Sequence, residues 1–387
     1  MNINELLSIK KNIILNCKNW DEKYEISHPN TAKLRENNYS GISIYFKKII
    51  SFFIYPKKIL SKKIVIFQGL KFSNYIGLFN ASEVCIIGSR NEKKYAKEKN
   101  YNFIWSFPIV ISVKEVIYKN NNIYLIFQIF YWYLYLRKKE EIIIILEEDT
   151  QPLGSFLVCF GILFKNKYKT ICIQHGYFSK EQPTRPDGQL CDYNFVWDKY
   201  QANLMGIDKN STYIIGLPYD AFSKISEKYQ IILVGIGEPD EIYYQNSLDI
   251  FKKIYDILID KNYRVQYRPH PNEKIKSKNL INLEKLFGDL DNLEKIALLN
   301  GNQKIFIGNI SSLLYEAKMC GHYAVSFELR NNQILSNADY IVDINKLDLL
   351  LEKIIFFTEN KSVYVNNINI ENPNSRFYKA LKCTLLR

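Results

Sequence analysis

The side chains best able to do chemistry stand just after short apolar runs. Glu147, Glu148 and Asp149 follow Ile142–Leu146. Gln174, His175 and Gly176 follow Thr170–Ile173. Gly235, Gly237, Glu238 and Asp240 follow Ile231–Val234, and Arg268, His270 and Pro271 follow Arg264–Tyr267. Gly308, Asn309, Ser311 and Ser312 follow Lys304–Ile307. Two of the chain's four histidines occupy these positions. Mutual repulsion and partial burial of three crowded carboxylates raise the proton affinity of one of them toward that of a general base. His175 is a second base or a ligand-binding group. His270 can donate a hydrogen bond to a phosphate oxygen, while Arg268 adds charge or packs nearby. Ser311 and Ser312 open a helix, where hydroxyls and backbone N–H groups can hold phosphate; a plain N-cap is the simpler reading of either. Gly235 and Gly237 permit close backbone approach to a ligand, although a lone Gly-x-Gly is a weak signal.

These positions carry meaning because of the elements around them. Ile64–Phe67, Val84–Ile87, Ile142–Leu146, Thr170–Ile173, Phe195–Trp197 and Tyr213–Ile215 read as buried parallel strands. Helices such as Glu92–Glu98 and Ser155–Lys165 lie between them. After a polar bridge, Pro218 to Lys228, the alternation restarts with Ile231–Val234, Arg264–Tyr267, Lys304–Ile307 and Tyr323–Phe327. Ser247–Asp260, Ser311–Met319 and Lys346–Phe357 read as helices. The expected fold is α/β, with two doubly wound Rossmann-like domains facing each other across a cleft. Their expected bounds are 1–220 and 229–370, with a C-terminal helix in 371–387 packing back on the first. Such sheets bind ligands beyond the carboxyl ends of their strands, where the reactive residues fall.

At 387 residues, 47% hydrophobic and 24% charged, the chain has the composition of a folded protein. Its net charge of +12 suits an anionic substrate or an anionic membrane surface. No nucleic-acid-binding motif accompanies that charge, so nucleic acid is not an expected partner. Seven cysteines without a CxxC pair signal neither a zinc site nor a disulfide framework, and fit a reducing cytoplasm. No signal peptide or membrane-spanning run is read. Two segments suit a membrane surface. Tyr45–Lys63 interleaves lysine pairs with Phe, Ile and Tyr, as an interfacial helix would. Ile123–Leu136, IYLIFQIFYWYLYL, is too short to span a bilayer and reads first as a helix buried against a sheet.

YRPHPNEK (Tyr267–Lys274), GNISSLLYEA (Gly308–Ala317), EED (Glu147–Asp149) and VGIGEPDE (Val234–Glu241) together resemble bacterial sialyltransferases of the two-domain GT-B type. The resemblance covers about residues 140 to 330. It implies an N-terminal acceptor domain and a C-terminal domain for a CMP-activated donor. The acceptor would be a glycan or lipid-linked glycan of the cell surface, and the enzyme would work at the inner face of the cytoplasmic membrane. Glu148 or Asp149 would be the base, and His270, Ser311 and Ser312 would bind the donor phosphate. The family usually has Gly after its acidic pair, where this chain has Thr150. IQHGYF (Ile173–Phe178), IIGLPYD (Ile214–Asp220), RPHP and NISS also resemble CDP-glycerol enzymes of capsule and teichoic-acid synthesis, and CMP-Kdo transferases. In the CDP-glycerol group the base would be His175. No Asp-x-Asp metal motif accompanies these segments, so no metal or other cofactor is expected. The alternatives are a nucleotide-sugar epimerase of the same fold and a nucleotide- or sugar-binding module without turnover.

Overall fold

The computed structural model describes residues 3–27, 50, 61–176, 190–206, 208–221, 223–224, 229–237, 241–271, 273, 277–309, 311–327, 338–343, 346–359 and 372–385. Most of the basic segment 45–63 and Glu238 lie outside these residues. The chain forms two compact units. One holds the residues up to Pro218 together with Pro373 onward, and the other holds Tyr219–Asn372.

The first unit is built on seven parallel strands: β1 (Lys63–Gln68), β2 (Val84–Gly88), β3 (Asn102–Trp105), β4 (Glu141–Leu146), β5 (Tyr168–Ile173), β6 (Tyr193–Val196) and β7 (Thr212–Ile214). Their order is β3-β2-β1-β4-β5-β6-β7, so the winding reverses between β1 and β4. Those two pair in register from Lys63 with Glu141 to Phe67 with Ile145. The uninterrupted apolar runs of β1 and β4 follow from burial on both faces. Alternate residues point to opposite sides. Ile64, Ile66, Ile142 and Ile144 meet one helical layer, while Val65, Phe67, Ile143 and Ile145 meet the other.

The first layer includes Ile9 and Ile13 of helix Ile3–Ser27, with helices Phe107–Lys119, Ile123–Leu136 and Pro152–Phe160. The second includes the C-terminal helix Pro373–Leu385. Phe377 of that helix stacks on Tyr75 at 4.2 Å between ring centroids. Arg376 ties it down by donating from Nε to the carbonyl of Ile215 over 2.6 Å. The seven cysteines are free thiols.

One expectation needs correction. Ile123–Leu136 is a helix, but it is not buried all round. Leu125, Gln128, Ile129, Trp132 and Leu136 face inward, and Trp132 meets Phe156 and Phe160 edge-on. Ile123, Ile126, Phe127, Phe130 and Leu134 are exposed.

The second unit carries a five-stranded parallel sheet. In chain order the strands are β8 (Ser223–Lys224), β9 (Gln230–Val234), β10 (Arg264–Arg268), β11 (Gly301–Asn302), β12 (Lys304–Gly308), β13 (Tyr323–Phe327) and β14 (Tyr340–Val342). The sheet order is β10-β9-β12-β13-β14, with β8 and β11 paired separately. Its winding reverses between β9 and β12. Helix Glu241–Asp260 buries Phe251, Ile254 and Leu258 against Leu233, Tyr267 and Ile307. The edge strands β3 and β14 were not evident in the sequence pattern.

Beside the start of β12, His322 is 2% exposed. Its Nδ1 accepts the Lys304 N–H over 3.1 Å, which leaves Nε2 to donate to the Leu299 carbonyl over 3.0 Å. Burial holds its pKa down to about 4. An unfolded histidine titrates near 6.5. The unfolded chain therefore takes up a proton between pH 6.5 and 4 that the folded chain does not, and stability falls as pH falls. His322 is expected to account for a loss of about 2 kcal/mol between pH 7 and 5. Urea denaturation at both pH values measures it. His322→Gln should flatten the dependence by that amount; an unaltered dependence would refute the assignment. Glu147 and Glu273, whose proton affinities are raised by burial, act in the opposite sense above the normal carboxylate range.

Candidate functional site

In each unit the reactive side chains stand at the carboxyl ends of the strands flanking the reversal of sheet order and of the strand next to them, β5 for His175 and β10 for His270. In the first unit the flanking strands are β1 and β4. Gln68 closes β1 and organises the acidic segment at the exit of β4. Its Nε2 donates to Glu148 Oε1 over 2.8 Å, and its Oε1 accepts the Glu147 N–H over 3.1 Å. The next residue, Gly69, has φ +72°, and a Cβ there would lie 2.6 Å from Glu147 Oε1. A larger residue would be strained and would push the carboxylate away.

The three carboxylates separate into different roles. Asp149 is fully buried, and its Oδ2 accepts the Leu190 N–H over 2.6 Å. Asp149 thus holds the backbone at Leu190. Glu148 holds Gln68 through Oε1 and accepts the Gln151 N–H through Oε2 over 2.8 Å, at the start of helix Pro152–Phe160. Glu147 is half-buried, and among the described residues its carboxylate accepts one long bond, 3.4 Å, from the Lys71 N–H. Burial raises its proton affinity, which Lys71 partly offsets. Of the two expected causes, repulsion and partial burial, burial is the larger influence on Glu147.

His175 stands beside it. Its Nδ1 lies 2.6 Å from the Glu147 carbonyl oxygen. A carbonyl only accepts, so Nδ1 carries the proton and Nε2 keeps its lone pair. Burial, with help from the Lys71 charge, lowers the His175 pKa to about 4, and the ring is neutral at pH 7. Gln174 serves as a brace: it accepts the Trp197 N–H over 2.9 Å and donates to Gln201 over 2.7 Å. Gln68, Gly69 and Lys71 escaped the sequence reading. Their signal was the exit of β1 itself, whose polar Gln-Gly step closes an apolar run.

In the second unit the corresponding place is the end of β9 and β12. Gly235 donates its N–H to the Arg268 carbonyl over 2.9 Å. A Cβ on Gly235 would lie 2.3 Å from Glu273 Oε2 and 2.6 Å from the Tyr267 hydroxyl. Glu273 is 2% exposed and organises this corner. Its Oε1 accepts from the Tyr244 hydroxyl over 2.8 Å and the Tyr267 hydroxyl over 2.9 Å, and its Oε2 accepts the His270 N–H. The carbonyl of His270 accepts the Glu273 N–H over 2.9 Å. These bonds fix the turn that carries His270, whose ring is part-buried. Desolvation lowers its pKa. Pro271 follows it, exposed.

Several candidates serve the architecture. The Arg268 guanidinium pairs with buried Asp291 and donates to the Leu293 carbonyl over 2.8 Å. Of its two expected roles, packing is the one this geometry displays. Asn309 donates from Nδ2 to the Phe327 carbonyl over 2.7 Å, tying the exit of β12 to that of β13. Ser311 is an N-cap: its backbone is extended, and its Oγ accepts the Leu313 N–H over 3.2 Å. Ser312 begins the helix Ser312–Met319, and Gly237 lies on the loop after β9. Glu316, in the same helix and buried, accepts from the Tyr219 hydroxyl and pairs with Lys295 at 2.8 Å. Lys295 also lies 4.9 Å from the centre of the Tyr219 ring. Tyr219, Lys295, Glu273 and Asp291 were not singled out from the sequence. Tyr219 and Glu273 stand inside IIGLPYD and YRPHPNEK, while Lys295 and Asp291 belong to no motif and lie more than 20 residues from Glu316 and Arg268. Among the described residues, no group of three or more His, Cys, Asp or Glu could hold a metal ion.

No known protein-family profile matches the chain. A segment of 201 residues, 48% of the chain, is 27% identical to the uncharacterized protein MJ1060 of Methanocaldococcus jannaschii. The match spans 36% of that protein's length. Among solved structures, S. aureus MnaA with UDP aligns with 84% of this chain and 97% of its own, at 13% identity and a TM-score of 0.52. UDP-GlcNAc 2-epimerase from Methanocaldococcus jannaschii aligns with 83% of this chain and 99% of its own, at 15% identity and a TM-score of 0.49. At such identities a likeness speaks to fold alone, and the resemblance to sialyltransferases is carried no finer than that. The chain has a GT-B-type α/β fold, with two doubly wound parallel-sheet units.

Proposed function

We propose that this protein transfers a sugar from a cytidine-nucleotide donor to a surface-glycan acceptor, with a CMP-linked sialic-acid-like sugar as the first candidate. One observation supports this most directly. The groups able to bind phosphate or take a proton stand within one strand of the point where each sheet reverses its winding, the place where doubly wound sheets bind ligands. In this reading Gly235, His270 and the start of helix Ser312–Met319 hold the donor phosphate. The N-terminal end of that helix favours the negative charge that grows as the glycosidic bond breaks. Glu147 takes the proton of the acceptor hydroxyl, with Glu148 and Gln68 fixing its backbone. No metal is required by this scheme.

A second reading has its own support. The neutral His175, with Nε2 left as an acceptor, suits the base of a CDP-glycerol-type transferase. Calorimetry with CMP, CDP, UDP, GDP and ADP, in EDTA, tests the donor class. CMP or CDP is expected to bind at least about tenfold more tightly than the others. Preference for UDP would sink the cytidine assignment, and release of UDP without transfer would point to an epimerase. Tight CMP binding with no turnover on any acceptor would leave a binding module.

A further inference from the structure

We propose that the outward face of helix Ile123–Leu136 lies in the interface of an anionic lipid bilayer. This surface is independent of the site described above. A soluble helix normally turns its polar residues outward. Here Gln128, the one side chain that is neither aliphatic nor aromatic, is buried, and large apolar ones are outside. Ile123 is 53% exposed, Ile126 and Phe127 40%, Phe130 46% and Leu134 38%. Their spacing of three or four residues sets them in one stripe along the helix. Tyr131 joins the stripe, with its ring centroid 6.2 Å from that of Phe127 and 6.5 Å from that of Phe130. Tyr118, at the end of the preceding helix, is 39% exposed.

The occupant follows from shape, residue type and charge. The helix has 14 residues, a length of about 21 Å, which is too short to cross a bilayer. No described helix is long and apolar enough to do so. A short helix with an aliphatic and aromatic face instead lies flat at the headgroup boundary. Tyrosines suit that depth, since they offer an apolar ring and a polar tip. The helix bears no charge and ends on exposed Arg137 and Lys138, with exposed Lys119 before it. Those cations, on a chain of net charge +12, match an anionic headgroup layer. The neighbouring helix Ile3–Ser27 also exposes Leu7 and Leu15, with Lys11 midway between them in sequence.

Co-sedimentation of the full chain with vesicles tests this. The chain should sediment with phosphatidylcholine vesicles containing phosphatidylglycerol, and far less with phosphatidylcholine alone. The triple variant Phe127→Gln, Phe130→Gln, Leu134→Gln should lose at least about tenfold in vesicle affinity, because it removes apolar area that enters the interface. Without lipid its thermal stability should match or exceed that of the wild type, which a core role for the face would not allow. Should the triple variant fail to fold, Arg137→Gln with Lys138→Gln is read in its place, with about fivefold lost for each cation. Sedimentation of the folded variants equal to wild type would overturn the proposal. So would a wild-type chain that ignores anionic vesicles and instead dimerises through this face.

Discussion

Glu147→Gln is expected to lower kcat by roughly 10²–10⁴ while leaving the affinity for the nucleotide donor unchanged. Glutamine keeps the shape of the side chain and the bond from the Lys71 N–H, but it cannot take a proton. The effect falls on Glu147 because burial raises its proton affinity and because, among the described residues, its carboxylate accepts one long bond. Glu148 has both oxygens in short bonds to Gln68 and Gln151, so Glu148→Gln should cost far less turnover. Asp149→Asn should act on stability instead, through the buried bond to Leu190. Single-turnover measurements on a saturating donor separate these cases. Wild-type turnover in Glu147→Gln would remove it as the base. Loss in His175→Ala alone, with donor binding intact, would transfer the role to His175.

Glu273→Ala is expected to destabilise the second unit by about 3–5 kcal/mol and to weaken donor binding at least about tenfold. The substitution deprives the Tyr244 and Tyr267 hydroxyls and the His270 N–H of one shared acceptor. Two of these groups belong to buried tyrosines, and each lost bond to a buried donor costs about 1–3 kcal/mol. The turn bearing His270 then loses the bond that sets its backbone. Urea denaturation gives the first quantity and calorimetry with the nucleotide the second. Glu273→Gln, which keeps one acceptor oxygen, should fall between wild type and alanine. An alanine variant as stable as wild type would show that Glu273 does not organise this corner. A destabilised variant with unchanged donor affinity would separate His270 from the donor.

The sequence alone determined the α/β class, because strands buried on both faces must be apolar throughout and helices between them must alternate. It also placed the reactive residues at strand exits, since in a parallel sheet every exit lies on the same edge. The short edge strands β3 and β14 were not legible; both are half-exposed, so neither shows the continuous apolar run that marks a buried strand. Tertiary structure decided how three adjacent acids are partnered and that burial raises the proton affinity of Glu147, because the run EED encodes neither burial nor partners. Gln68, Lys71 and Leu190 come from other parts of the chain to sort Glu147, Glu148 and Asp149 into separate roles. Packing likewise decided that Arg268 is neutralised by Asp291, 23 residues away, and that Asn309 ties two strands together. It decided too that one face of Ile123–Leu136 stays outside: a run apolar on every side cannot say which side the sheet will cover.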